Sequence, residues 1–209
     1  AIVRLGRGLV KDLVISLSTK SLFRKFDQFE EELWGHSVAT AIAAQHVASL
    51  YQKVDPSEAF VGGLLHDVGK IVLNNSEPVR LRKVAEAARK NNQPFFVAEH
   101  EEFKFHHGSV GAVLMEVWGL SQQLIDVAFY HHHIDRWEQI NEDSLPLVSI
   151  VTLANQLVNH LGVNIGAQPM ELKLAEPCLD FLGLEAEAIE GLIPRILEQY
   201  EDDKALYFD

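Results

Sequence analysis

The chain has 209 residues, of which 47% are hydrophobic and 23% charged; that composition excludes disorder, collagen-like repeats and low-complexity architecture, and allows a core without disulfides. With 18 basic against 30 acidic residues the formal charge is −12, which argues against a nucleic-acid binder, whose affinity comes mostly from neutralised phosphates. The single cysteine, Cys178, excludes an internal disulfide framework and fits a reducing, cytoplasmic setting.

The hydrophobic period is helical almost throughout. Leu9, Val10, Leu13, Val14 and Leu17 predict a helix near 7–18. Leu33, Ala41, Ala44, Val47, Ala48 and Tyr51 repeat at i, i+3, i+4 and predict one over 29–51. Asp55-Pro56-Ser57-Glu58 reads as a helix start, with a capping acid, a proline at the first position and a glutamate at the third. That helix is expected over 56–73, followed by 78–91, 95–103 and 107–118. Ser121 opens a helix over 121–132, and Pro146 opens one over 146–161 that Gly162 closes. A last helical stretch covers 185–206, where Pro194 should kink or split it. No stretch alternates with period 2 over a strand's length. The expectation is one all-α domain over 1–209, a bundle of about eight to nine helices, with 163–209 as a C-terminal extension.

The opening stretch is broken by Arg4, Arg7, Lys11 and Asp12, unlike a secretory leader. The longest uncharged run, Ser144 to Met170, carries Asn155, Gln156, Asn159, His160 and Asn164, too many polar groups for membrane insertion. Charge is uneven along the chain: residues 1–25 are net +5 and residues 185–209 net −6. Two solvated helix faces account for this most simply, with an intramolecular or partner contact as the alternative.

Ten histidines stand out: His36, His46, His66, His100, His106, His107, His131, His132, His133 and His160. A metal site on a helical scaffold needs neutral imidazoles and carboxylates converging from several helices. His36 lies on the Leu33 face, His66-Asp67 late in the next helix, His107 at a helix start and His131-His132 at a helix end. Gly69 allows close approach of a ligand or another backbone, and Lys70 offers a cation to an anionic oxygen. Singly, each reads as a satisfied core histidine, a helix-end pair or a solvated lysine. His46, His100, His106 and His160 are expected as surface or core residues, and His133 as the exposed member of its run. Trp34, Trp118 and Trp137 read as core or rim packing rather than a ligand cage, and Glu99, Glu101 and Glu102 as a solvated face.

In order and spacing these residues resemble the HD superfamily of metal-dependent phosphohydrolases. Leu64-Leu65-His66-Asp67-Val68-Gly69-Lys70-Ile71 is similar to the core motif of its HD-GYP branch, as are His107 with Gly111 and Tyr130-His131-His132. Across the chain the resemblance is nearer to the HDOD branch, the HD-related output domain of bacterial signalling proteins. It rests on Leu33-Trp34-Gly35-His36-Ser37, Asp55 to Phe60, His66-Asp67, Val117-Trp118-Gly119-Leu120, Tyr130-His131-His132 and Leu153-Ala154-Asn155, and runs from residue 1 to about 161. The resemblance implies a divalent metal (Fe, Mn, Zn or Ni), held by His36, His66, Asp67, His107, His131, His132 and Asn155. In a hydrolase, Asp67 and Lys70 would be catalytic.

Two departures shape the expected function. Catalytic relatives end their ligand set with an aspartate where this chain has Asn155, leaving the His36–His66 half one negative charge short; one metal is expected rather than two. Ile134-Asp135-Arg136-Trp137 stands where a Gly-Tyr-Pro signature would follow. The resemblance therefore implies a signalling module of little or no catalytic activity. Its expected partners are other signalling domains or proteins, or a second copy of the chain. The alternative is a phosphohydrolase acting on a phosphoester or cyclic nucleotide. Ala1 to Gly6 resembles the middle of an HDOD domain, so a preceding helical subdomain is expected to be missing.

Overall fold

The computed structural model describes residues 18–165 and 169–208. Among the described residues there are eleven α-helices and no strand. They run α1 (Gln28–Tyr51), α2 (Pro56–Leu65), α3 (Val68–Ser76), α4 (Pro78–Asn91), α5 (Phe95–Phe103), α6 (His107–Val117) and α7 (Gln122–Tyr130). A 3₁₀ turn at Ile134–Gln139 leads to α8 (Leu145–His160), α9 (Glu176–Leu182), α10 (Ala186–Glu190) and α11 (Ile193–Phe208). No described helix is long and apolar enough to cross a membrane.

Caps set several of the boundaries. Asp27 accepts the Glu30 N–H at the start of α1 and Asp55 accepts the Ser57 N–H at 2.7 Å, with Pro56 at the first position of α2. Gly162 takes φ +75° just beyond α8, a left-handed stop that costs glycine little. The helix expected near 7–18 lies outside the described residues except for Ser18, which is helical with Thr19 and Lys20.

Three expectations are corrected. The single helix expected over 56–73 breaks into α2 and α3, because Asp67 leaves helical geometry (φ −103°, ψ 12°). The stretch expected over 185–206 splits at Gly191-Leu192, leaving Pro194 in the first turn of α11, where its missing N–H costs nothing. An unforeseen helix, α9, precedes it, started by Pro177 and stopped by Gly183 at φ +63°.

The main core is built on α1. Trp34, Ile42, Val47 and the alanines between them pack against Phe60 and Leu64 of α2, Ile150, Leu153 and Leu157 of α8, and Ile189, Ile196 and Tyr200 of the C-terminal helices. Small residues allow the close packing: a Cβ on Gly63 would stand 2.7 Å from the Ala41 Cα. Trp34 is fully buried, and its indole N–H donates to the Tyr207 carbonyl at 2.9 Å. Smaller apolar clusters tie α3 to α6 and α7 through Val68, Ile71, Met115 and Ala128, and α4 to α5 through Leu81, Val84 and Ala98. Between these packing units, one face of α1 and the ends of four other helices meet.

Candidate metal centre

That meeting point holds every predicted site residue. His36 comes from the third turn of α1, His66 and Asp67 from the two-residue link between α2 and α3, and Lys70 from the first turn of α3. His107 is the first residue of α6, His131 and His132 follow the last turn of α7, and Asn155 lies on α8. All are buried except His132, which is half-buried. Gly69 explains how Asp67 reaches His107. A Cβ there would stand 2.0 Å from the His107 carbonyl oxygen, so only glycine lets α3 press its first turn onto the start of α6.

Asp67 is the hub. Its Oδ2 lies 2.6 Å from Lys70 Nζ, 3.4 Å from His66 Nε2 and 3.5 Å from His36 Nε2. Its Oδ1 lies 2.9 Å from His107 Nε2 and 3.6 Å from His131 Nε2. Two sets of donor atoms share this carboxylate: Asp67, His107, His131 and His132 in one, His36, His66 and Asp67 in the other, each with its atoms within 4.8 Å of one another.

The outer nitrogens decide which way the rings present themselves. His36 Nδ1–H donates to the Val163 carbonyl at 2.7 Å, His66 Nδ1–H to Gly63 at 2.6 Å, and His131 Nδ1–H to Val127 and Ala128 at 3.0 Å each. A carbonyl can only accept, so the proton sits on Nδ1 and each Nε2 turns a lone pair inward. The Nε2 atoms of His66 and His132 are buried with no hydrogen-bond partner among the described residues. Inward-turned lone pairs with no donor to meet them are costly to bury, and a cation would satisfy them. The donor set therefore fits a divalent metal.

Charge states agree with that geometry. Burial, only partly offset by Asp67, lowers His36 to about 4 and holds His66 well below 6.5. Burial likewise lowers His131 and His132, the latter with help from its neighbour His131. All four are neutral at pH 7, the form that ligates. Burial opposes a charge on His107 too, but the carboxylates of Glu99 and Asp67 outweigh it and raise that histidine above its usual value. Asp67 would be pushed up by burial, yet His66, Lys70 and His107 hold it well below the carboxylate range.

Several expectations are corrected here. Glu99, expected on a solvated face, is fully buried, and its Oε2 accepts both the backbone N–H of His107 (3.0 Å) and its Nδ1–H (2.5 Å). It shares the apolar stripe of α5 with Phe95, Ala98 and Phe103, whereas Glu101 and Glu102 are exposed. That registry is the signal by which it could have been found. His133, expected exposed, is half-buried with its Nε2 3.0 Å from His106 Nε2. Asn155 does line the site, but its Oδ1 accepts from Asn159 Nδ2 at 2.7 Å.

A cavity of about 650 Å³ opens above these residues. Its floor is His36, Asp67, Lys70 and Asn155; Phe96, which stacks on His132 with ring centres 4.6 Å apart, forms part of the wall.

Comparison with known proteins supports the same architecture. The HDOD domain family model matches residues 1–134. A Geobacter sulfurreducens HDOD domain protein of unknown function superposes with TM-score 0.81 at 21% identity, over 98% of this chain and 73% of that one. A Marinobacter aquaeolei VT8 chain named for signal transduction also reaches 0.81 at 21% identity, over 97% of this chain and 45% of that one. A Shewanella amazonensis SB2B chain named as a phosphohydrolase reaches 0.72 at 22% identity, over 99% and 75%. An uncharacterised protein of Treponema pallidum (strain Nichols) is 25% identical over 188 residues. The chain spans 35% of that relative's length.

Proposed function

The chain belongs to the HDOD domain family, and from that premise we propose that it is a regulatory output module of signal transduction that binds rather than turns over its ligand. One observation carries the reading. Among the described residues Asp67 is the only carboxylate lining the cavity, and its Oδ2 is already paired with Lys70 at 2.6 Å. Hydrolysis of a phosphoester by metal-held water leans on a fuller anionic ligand set, and Asn155 contributes an amide where a carboxylate would complete one. The family resemblance supports the signalling role, with other signalling domains or a second copy as partners in the cytoplasm. The acidic charge of −12 speaks against nucleic acid.

A partly retained metal site belongs to this reading. His107, His131, His132 and Asp67 would hold one divalent ion, with His36, His66 and Asn155 as the weaker half. Such an ion would supply Lewis acidity and a bound water of lowered pKa. The second reading is a phosphohydrolase, favoured by the inward-turned Nε2 set. In that case Asp67 would hold the metal and Lys70 would meet the substrate's anionic oxygen.

Cyclic dinucleotides, nucleotides and simple phosphoesters, assayed with Mn²⁺ or Fe²⁺, separate the two. The binding module predicts flat assays. Turnover above roughly 1 s⁻¹, the low end for an evolved enzyme, that vanishes in Asp67→Ala would replace it with the hydrolase.

A further inference from the structure

We propose that the His36–Asn155 side of the cavity is an anion site for a small organic anion carrying a planar ring, with Asn155 as a recognising donor; this deepens, and rests on, the binding-module reading above. Local charge is the first observation. The protein carries 30 acids against 18 bases, yet among the described residues the cavity is lined by three cations, Lys70, Arg89 and Lys173, and a single acid, Asp67. Lys70 already covers one oxygen of that acid, at 2.6 Å. An entering anion therefore meets exposed cations at the rim, Arg89 and Lys173, and the buried Lys70 ammonium at the floor.

The orientation of Asn155 is the second observation, and it can be read from neighbours. Asn159 Nδ2 lies 2.9 Å from the Asn155 backbone carbonyl, which can only accept, so that atom of Asn159 is the NH₂ group. The same NH₂ lies 2.7 Å from Asn155 Oδ1, which must then be the oxygen. The Asn155 NH₂ group is left over. The side chain lines the cavity in a residue only 4% exposed, and its Nδ2 has no acceptor among the described residues. Where a carboxylate would present negative oxygen to a cation, this chain presents two N–H donors.

The remaining walls define the rest of the ligand. Phe95 and Phe96 supply flat apolar surface, Phe96 already lying within 21° of the His132 ring plane. The Arg89 guanidinium at the exposed rim has no partner among the described residues, whereas Lys173 pairs with Glu171. A volume of about 650 Å³ accommodates a molecule of nucleotide size.

The test is calorimetric titration of the protein, as purified and after chelator treatment, with AMP, benzoate and uncharged adenosine. AMP and benzoate present the two sources of anionic oxygen, phosphate and carboxylate. Binding of one or both to the chelated protein is expected, with adenosine weaker by about tenfold or more. Asn155→Asp places a like charge beside the ligand and should weaken anion binding by about tenfold or more. Arg89→Ala, at an exposed position that does not threaten folding, should weaken it several-fold. No binding of either anion at about 5 mM, a requirement for added metal, or equal binding in both variants would each overturn the anion site. Phosphate release from AMP with Mn²⁺ is followed in the same samples. Release would refute the non-catalytic reading while leaving the anion site in place; absent binding without release would refute only the anion site.

Discussion

Glu99 holds His107 at two points, taking its backbone N–H at 3.0 Å and its ring Nδ1–H at 2.5 Å, both on the same carboxylate oxygen. The contact fixes ring and helix start together and raises the basicity of the imidazole. It is a carboxylate behind a ligating histidine, which increases the electron density offered at Nε2. Glu99→Gln is expected to weaken Mn²⁺ or Zn²⁺ binding by roughly 10- to 100-fold, read by isothermal titration. Unchanged affinity would show that Glu99 only supports the fold.

Metal occupancy should divide unequally between the two halves. His131→Ala is expected to remove most bound metal and His36→Ala little, because the His36 half has Asn155 in place of an anionic ligand. Elemental analysis of the purified proteins checks this, and two full equivalents per chain would contradict it.

The neutral histidines give the metal-free protein an acid sensitivity of definite sign. His36 has a folded value of about 4 against 6.5 unfolded, so below about pH 6.5 the unfolded chain gains the proton first. Stability is then lost progressively down to about pH 4. His66, His131 and His132 are lowered as well and act in the same direction. His107, raised, acts oppositely, stabilising the fold at low pH and losing that contribution as pH rises through its folded value. His106, lowered by burial to about 4, and His133, lowered by burial, join the lowered histidines, so six groups oppose one and thermal melts in chelator should show a lower Tm at pH 5 than at pH 7. His36→Gln should flatten that difference. Asp67, held low, adds a separate loss that begins only below its unfolded value of 3.8.

Gly69→Ala should damage fold and site together. A methyl group there would sit 2.0 Å from the His107 carbonyl oxygen and 2.8 Å from the Gly111 nitrogen, both backbone atoms that cannot rotate away. A loss at or above the upper end of the roughly 1–3 kcal/mol typical of overpacking is expected, measured by denaturant titration. Metal affinity should fall with it, since α3 carries Asp67 against α6. A variant of native stability would mean that the two helices can separate at little cost.

Boundaries marked by local chemistry were legible in the sequence: Pro78 to Asn91 and Phe95 to Phe103 match the expected helices residue for residue. The break at Asp67 was not, because Leu64, Leu65, Val68 and Ile71 stay in helical phase across it. What interrupts the helix is the meeting of Asp67 with side chains far away in sequence. The ligand-like histidines could be ordered from the sequence because His66, His107, His131 and His132 lie at helix ends, and His36 on an apolar helix face, in a recognisable succession. The His106–His133 contact could not, since it depends on a partner 27 residues distant; for Glu99 the registry with Phe95, Ala98 and Phe103 signals burial, but not the partner His107 eight residues on.

The bond between Trp34 and the Tyr207 carbonyl spans 173 residues, and His36 two residues along reaches Val163 across 127. Helix α1 is thus made early and secured late. During synthesis at roughly 5–20 residues per second, Trp34 waits on the order of 10–30 s before its acceptor exists, with its apolar face and the adjoining alanines lacking their C-terminal cover. Completion of the core is tied to arrival of α11, and a nascent chain stopped short of it leaves a buried indole N–H without a partner.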